Sequence, residues 1–359
     1  MKKIFVILAA VVTLVGCNSN RCEIVGHLDN FGALGCVYLT DMWNARAVID
    51  SVKLDNNTFH FKNVKHAPTF AQIVLESGRP VTYLFVESGK VLVAGDYESG
   101  AIKCSGTPAN DAFGAMMTRS QEMIERYRQA VAAGNKAEVE AINNEHDQMQ
   151  SEFYEQNKTN VLGVFMLQQQ SYSMPSTELI AKLESLPEDM KALPVVQRMK
   201  ESAERKFKTE PQAEGSDYVP HYINIEQPNL KGEMVSLKSV VENKKNRYVL
   251  LDFWASWCGP CMGEMPHLKE AYKLYHKKGF EIYGVSLDSK KEAWQGAVEK
   301  QQMKWVNVSA LEAFDNSAAE DYAVESIPTN YLIDCSNGVI IAKNLRGEAV
   351  VEKLAELLK

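Results

Sequence analysis

Apolar and polar positions change rhythm twice along the chain. Residues 22–106 alternate in short runs broken by turn residues, as in Cys36-Val37-Tyr38-Leu39, Phe59-His60-Phe61 and Val91-Leu92-Val93. A period of two is the mark of strands with one buried face, so this stretch predicts a small antiparallel β domain. Residues 107–210 are rich in Ala, Glu, Gln, Met and Lys with sparse glycine and proline, which predicts a helical region. Gly134-Asn135 closes one helical run, Pro175 precedes another, and Ser185 with Glu188 three residues on reads as a capping box. The apolar run Val161 to Leu167 is too short to cross a bilayer and reads as a buried packing face. The polar stretch from Lys208, with Pro211 and Gly215, places a linker at 211–217.

From residue 218 to the end, strand-like and helix-like runs alternate, which predicts a sheet covered by helices. Ile223 to Leu237 reads as a hairpin turning at Asn229-Leu230-Lys231-Gly232. Strands are expected at Tyr248–Trp254, Phe280–Leu287, Trp305–Val308, Asn330–Asp334 and Val339–Asn344. Helices are expected after the first of these to about Lys278, at Lys290–Gln302, and at Glu348–Leu358. The fold class is therefore multidomain: β domain, helical middle and a C-terminal α/β domain.

Length and charge narrow the function. A chain of 359 residues has room for two or three cores. Its formal charge is -7, and loss of Lys2 and Lys3 would make it -9, which disfavours polyanionic partners and excludes nucleic acid as substrate. Those two lysines precede a 12-residue apolar run, Ile4 to Val15, short of the roughly 20 residues of a membrane span, so residues 1–16 read as a cleaved signal peptide. Leu14-Val15-Gly16-Cys17 resembles the lipobox of bacterial lipoproteins. That likeness implies that Cys17 becomes the lipid-bearing first residue and that 17–21 is a tether, leaving a periplasm-facing, lipid-anchored protein of the cell envelope. Each buried acyl methylene contributes about 0.8 kcal/mol to such anchoring. Outside the cytoplasm a cysteine pair can serve as a catalyst as readily as a structural brace.

The chemistry lies in Leu251-Asp252-Phe253-Trp254-Ala255-Ser256-Trp257-Cys258-Gly259-Pro260-Cys261, an apolar strand running into a helix. Two cysteines three apart at a helix start lie on one face, close enough to bridge. Cys258 falls where unpaired backbone N–H groups and the positive end of the helix dipole favour a thiolate, and Cys261 lies a turn deeper. Cys258 is thus the attacking sulfur and Cys261 the resolving one, with a mixed disulfide between the two steps. Gly259 leaves the approach open, and Pro260 is tolerated in the first turn. A purely structural bridge would gain little from so short a loop. A zinc site lacks its other ligands, because no second Cys-x-x-Cys and no His-rich segment accompanies the pair. No metal or cofactor is expected beyond the Cys258–Cys261 disulfide itself.

With these residues in view, residues 218–359 resemble a TlpA/ResA-type module of the thioredoxin superfamily. The likeness rests on Phe253 to Cys261, Glu264-Met265-Pro266, Gly284-Val285-Ser286-Leu287-Asp288, Ser326-Ile327-Pro328-Thr329 and Leu332-Ile333-Asp334, in that order. It implies a thioredoxin-like fold, a cis-proline at Pro328, and a backbone at the adjoining Ile327 free to pair with an extended client. It also matches Asp252 to the acid beneath the active site, where burial would raise its pKa and suit it to exchange a proton with Cys261. Glu264 takes the place of the family's active-site glutamate. Trp257 is expected to shield the disulfide and offer client-binding surface. Pro266 is expected to kink the helix. The preceding regions resemble a domain of unknown function found before thioredoxin modules in Gram-negative lipoproteins. Cys22, Cys36, Cys104 and Cys335 could form up to two further disulfides or stay free.

The expected activity is reduction of disulfides in exported client proteins, with electrons from an unidentified thiol donor. The Gly-Pro filling resembles that of thioredoxin, whose potential is near -270 mV against about -120 mV for strongly oxidising relatives. Two alternatives stand beside it: a thiol peroxidase, and a surface binding module whose redox domain is auxiliary.

Overall fold

The computed structural model describes residues 21–32, 35–171, 174–211, 216 and 218–359. The residues expected to form the signal segment, the tether before Arg21 with Cys17, and most of the expected linker lie outside the described residues. The chain forms two compact units. One takes the described residues up to Gln169 together with Leu186–Val195, and the other takes Gln170–Ser185 and Val196–Lys359.

The first unit opens with eight strands: β1 (Cys22–Asp29), β2 (Cys36–Asp41), β3 (Ala47–Lys53), β4 (Thr58–Val64), β5 (Thr69–Leu75), β6 (Pro80–Val86), β7 (Gly89–Asp96) and β8 (Ala101–Ser105). They make two four-stranded sheets, ordered β4-β1-β7-β8 and β3-β2-β5-β6. The alternating side chains of both sheets, among them Ile24, Leu39, Phe61, Ile73 and Val91, share one core. The expectation of a purely antiparallel domain needs correcting at one seam, because β1 runs parallel to β7 with Ile24 opposite Val91. A parallel pair needs a long crossover, and here β2 to β6 supply it. Period-two alternation reports which face of a strand is buried and says nothing of its partner.

Helices α1 (Pro108–Ala132), α2 (Lys136–Asn157), α3 (Val161–Gln170), α4 (Ser176–Glu184), α5 (Glu188–Lys191) and α6 (Pro194–Thr209) follow. Asn135 caps α2 by accepting from the Glu138 N–H at 3.2 Å. Met123 and Ala130 of α1 pack on Ile142 and Met149 of α2. Asn110 of α1 fastens the helix to β6: its side chain accepts from Phe85 N at 2.9 Å and donates to Phe85 O at 2.8 Å and Thr107 Oγ1 at 2.8 Å. The Ser185–Glu188 capping box does not form. Ser185 closes α4 instead, its hydroxyl donating to Lys182 O at 2.7 Å, and Pro187 occupies the N-cap of α5. Pro187 pushes Leu186 away from helical backbone, so no helix can start at Ser185.

The second unit adds β9 (Glu226–Pro228), β10 (Met234–Ser236), α7 (Leu237–Val241), β11 (Tyr248–Trp254), α8 (Gly259–Tyr275), β12 (Phe280–Ser286), α9 (Lys291–Gln301), β13 (Val306–Val308), α10 (Ser317–Asp321), β14 (Thr329–Asp334), β15 (Val339–Lys343) and α11 (Ala349–Leu357). β9 and β10 form the expected hairpin. The main sheet is ordered β13-β12-β11-β14-β15. β11 to β13 run parallel, whereas β14 and β15 are antiparallel to their neighbours. β11 is central and buried on both faces, which is why it reads as a nearly unbroken apolar run. This is a thioredoxin-like fold, and its register matters for function. Phe253, near the end of β11, pairs with Thr329, the first residue of β14, so the segment before β14 lies beside the turn that leads into α8.

α4 and most of α6 belong to this second unit, so the helical stretch is not one body. Ser202 donates to Glu325 at 2.6 Å, Lys206 to Met174 O at 2.6 Å, and Glu210 accepts from Ser176 N at 2.9 Å. Beyond α6, Tyr218 stacks on Phe207 at 4.6 Å and donates to Lys208 O at 3.0 Å. Burial, opposed by nearby Glu210, brings the Lys343 ammonium down to about 8.

Candidate functional site

Cys258 is the N-cap of α8, and its sulfur accepts from the Cys261 N–H at 3.1 Å. The two cysteines are joined in a disulfide with Cα atoms 5.2 Å apart, and both are buried. The start of a helix exposes N–H donors and the positive end of its dipole, so in the dithiol state the same N–H can stabilise a Cys258 thiolate. Open space surrounds Gly259, and Pro260 sits in the first turn as the sequence implied.

The turn holding Cys258 is pinned from below. Asp288, buried at the end of β12, accepts from Ser256 N at 2.9 Å, from the Ser256 hydroxyl and from Ser286 Oγ at 2.7 Å. On the other side the Ile327–Pro328 peptide is cis. The Ile327 carbonyl lies 3.7 Å from the Cys258 sulfur, and Thr329 Oγ1 ties the loop by donating to Ser326 O at 2.8 Å. The structure therefore brings Cys258, Cys261, Ile327 and Pro328 together.

Trp257, the residue before Cys258, stands at the surface. It is 57% exposed and meets Phe314 at a centroid distance of 6.2 Å, forming an aromatic rim beside the buried sulfurs. Asp252 is 3% exposed on β11, between Gly284 and Asn330 in the sheet. Burial pushes its carboxyl up to about 7, with the Arg346 guanidinium opposing the rise and the Glu264 charge adding to it. Glu264, one turn past Cys261, is half-buried and accepts from Gly347 N at 2.7 Å, so it is more than a solvated helix-face acid.

Sequence reasoning missed Arg346. It follows β15 in the Leu345-Arg346-Gly347 turn, where Leu345 is clamped to the Asn330 side chain by two hydrogen bonds of 2.9 Å. Its guanidinium donates to Leu345 O at 3.0 Å and to the carbonyl of Pro328. A lone cation between the last strand and the last helix was the available signal, and only the β11–β14–β15 register gives it meaning. Asp288 was visible in a motif but carried no role.

Cys22, Cys36, Cys104 and Cys335 are all free thiols. Burial pushes Cys22 and Cys104 up to about 11 and Cys335 up to about 12. Among the described residues no helix is long and apolar enough to cross a membrane, and no three His, Cys, Asp or Glu side chains converge as metal ligands would. Cys17 lies outside them.

Residues 220–343 match the AhpC/TSA family, and residues 22–113 match a domain of unknown function, DUF4369. The thiol-disulfide oxidoreductase ResA of Bacillus thuringiensis subsp. konkukian is 34% identical over 144 residues, covering 38% of this chain and 77% of that protein. ResA of Bacillus subtilis is 28% identical over 148 residues, covering 41% and 76% respectively. A solved thiol-disulfide oxidoreductase from Bacteroides fragilis is 38% identical, with a TM-score of 0.36, and the match covers 38% of this chain and 99% of that one.

Proposed function

This chain belongs to the ResA-like thiol-disulfide oxidoreductases, redox enzymes acting on disulfides, and from that premise we propose that it is an exported, membrane-tethered reductase of client disulfides. The observation that carries the proposal is the seat of Cys258: a helix N-cap sulfur, bonded by the Cys261 N–H, 3.7 Å from the carbonyl before Pro328. Lipid on Cys17 would hold the enzyme at the membrane, and the Gly-Pro filling favours the reducing direction.

In the dithiol state the Cys258 thiolate attacks one sulfur of the client disulfide. The client S–S bond breaks, its second sulfur leaves as a thiolate and takes up a proton, and a mixed disulfide joins client and enzyme. Cys261 passes its proton to the Asp252 carboxylate and attacks the Cys258 sulfur. That breaks the mixed disulfide, releases the client's other sulfur, and leaves the enzyme as the Cys258–Cys261 disulfide. Two electrons from a thiol donor restore the dithiol. Ile327, beside Pro328, offers backbone to an extended client segment, and Trp257 with Phe314 offers the aromatic rim against which it lies.

The test is trapping in intact cells. Cys261→Ala should accumulate mixed disulfides through Cys258, recovered from the membrane fraction and composed of exported proteins, while Cys258→Ala should not. Adducts confined to Cys258→Ala would overturn the roles of the two sulfurs, and adducts with cytoplasmic proteins would overturn export. The match to the AhpC/TSA family keeps a thiol peroxidase as the second reading. Peroxide consumption faster than disulfide reduction by the purified chain would favour it.

A further inference from the structure

We propose that Arg346 is a positioning residue of the redox site, its guanidinium fixing the carbonyl of Pro328 while its charge faces the two acids Asp252 and Glu264. Three anchors hold the segment that carries it. Leu345 is bonded in both directions to the Asn330 side chain, Gly347 N donates to Glu264, and one guanidinium nitrogen donates to Leu345 O. Gly347 has a left-handed φ of 55°, which lets the chain turn sharply from β15 toward α11. The guanidinium is thereby aimed before any client arrives, and its other nitrogen meets Pro328 O.

Two consequences follow from one side chain. The Pro328 carbonyl is held in place directly after Ile327, whose backbone is the one offered to an extended client. The cation also opposes the tendency of buried Asp252 to retain its proton, keeping a carboxylate available to Cys261. The charged and titratable groups around this point are Asp252 from β11, Glu264 and His267 from α8, and Arg346 itself, with His267 Nε2 4.0 Å from where a Cβ on Gly347 would stand. A lysine could supply the charge but not the planar fork that reaches two carbonyls at once. This inference rests on the proposed proton exchange between Asp252 and Cys261, so its test includes a readout that needs no turnover.

The experiment compares the full chain with Arg346→Met, Arg346→Lys, Asp252→Asn and the Asp252→Asn/Arg346→Met double variant. The first readout is the pH midpoint of folding stability of the oxidised protein. The second is the pH dependence of turnover with a small disulfide. Arg346→Met should move both midpoints to higher pH by about one unit. Arg346→Lys should leave the midpoints near those of the parent but raise KM, because the Pro328 carbonyl loses its anchor. In the Asp252→Asn background the Arg346→Met shift should vanish. An unmoved midpoint in Arg346→Met, or a shift that persists without Asp252, would overturn the inference. If the parent chain turns over no disulfide, the functional reading fails while the stability midpoint still decides the role of Arg346.

Discussion

Replacing Asp252 with asparagine should make the protein more stable, increasingly so as the pH rises above about 5. In the fold the carboxyl is pushed up to about 7 from an ordinary value of 3.8. Below about pH 4 the group is protonated both folded and unfolded, and the difference contributes nothing. Between about pH 4 and 7 the folded state keeps a proton that the unfolded chain releases. The unfolded state then binds fewer protons, so stability falls as pH rises, and above pH 7 the whole cost of a buried carboxylate is present. Roughly three pKa units at 1.36 kcal/mol each make that cost about 4 kcal/mol. Asparagine carries no charge, so Asp252→Asn should gain on the parent progressively, by about 4 kcal/mol between pH 4 and 8, offset by a constant of about 1 kcal/mol for an amide less well bonded than in water. Urea unfolding of the oxidised protein across this range measures it. Four of the five tryptophans, Trp254, Trp257, Trp294 and Trp305, report on the C-terminal unit. A stability difference that stays constant to within 1 kcal/mol from pH 4 to 8 would refute the burial argument, and with it the case for Asp252 as a proton acceptor near neutrality.

The N-terminal unit offers an independent check: Asn110→Ala should cost it about 1–3 kcal/mol, because the Phe85 amide and carbonyl would be left unpaired in a buried place. Denaturant unfolding followed through Trp43 would show this, and an unchanged midpoint would remove Asn110 as the fastener of α1. In the reduced protein at pH 8, iodoacetamide should label Cys258 about 100-fold or more faster than Cys22, Cys104 or Cys335, whose burial holds them as thiols. A mass-spectrometric time course with Cys104 or Cys335 labelled first would contradict the thiolate assignment.

What was legible in the sequence follows the range of the forces involved. β11 and α8 could be read directly, because a strand buried on both faces is continuously apolar and a Gly-Pro first turn starts a helix. Pro328, almost 70 residues after the cysteines, was reached through resemblance. Its place beside Cys258 depends on β14 pairing antiparallel with β11, which no local pattern encodes. Arg346 was missed for the same reason, one strand further out. The parallel β1–β7 seam and the allotment of α4 and α6 share another cause: an amphipathic face states that it will be covered but not by what. Ser185 misled because its hydroxyl satisfies a carbonyl at a helix end as readily as an amide at a helix start.

The allotment of α6 bears on how such proteins are inherited. The stretch shared with the AhpC/TSA family begins at residue 220, whereas the body that packs together also takes in Gln170–Ser185 and Val196 onward. A gene that transplanted only the shared stretch would strip Glu325 of its Ser202 donor and leave Lys343 without its Glu210 neighbour, turning a covered flank toward water. Grafting this catalyst onto another carrier, whether by recombination or at the bench, therefore means bringing along two helices that carry no redox chemistry of their own.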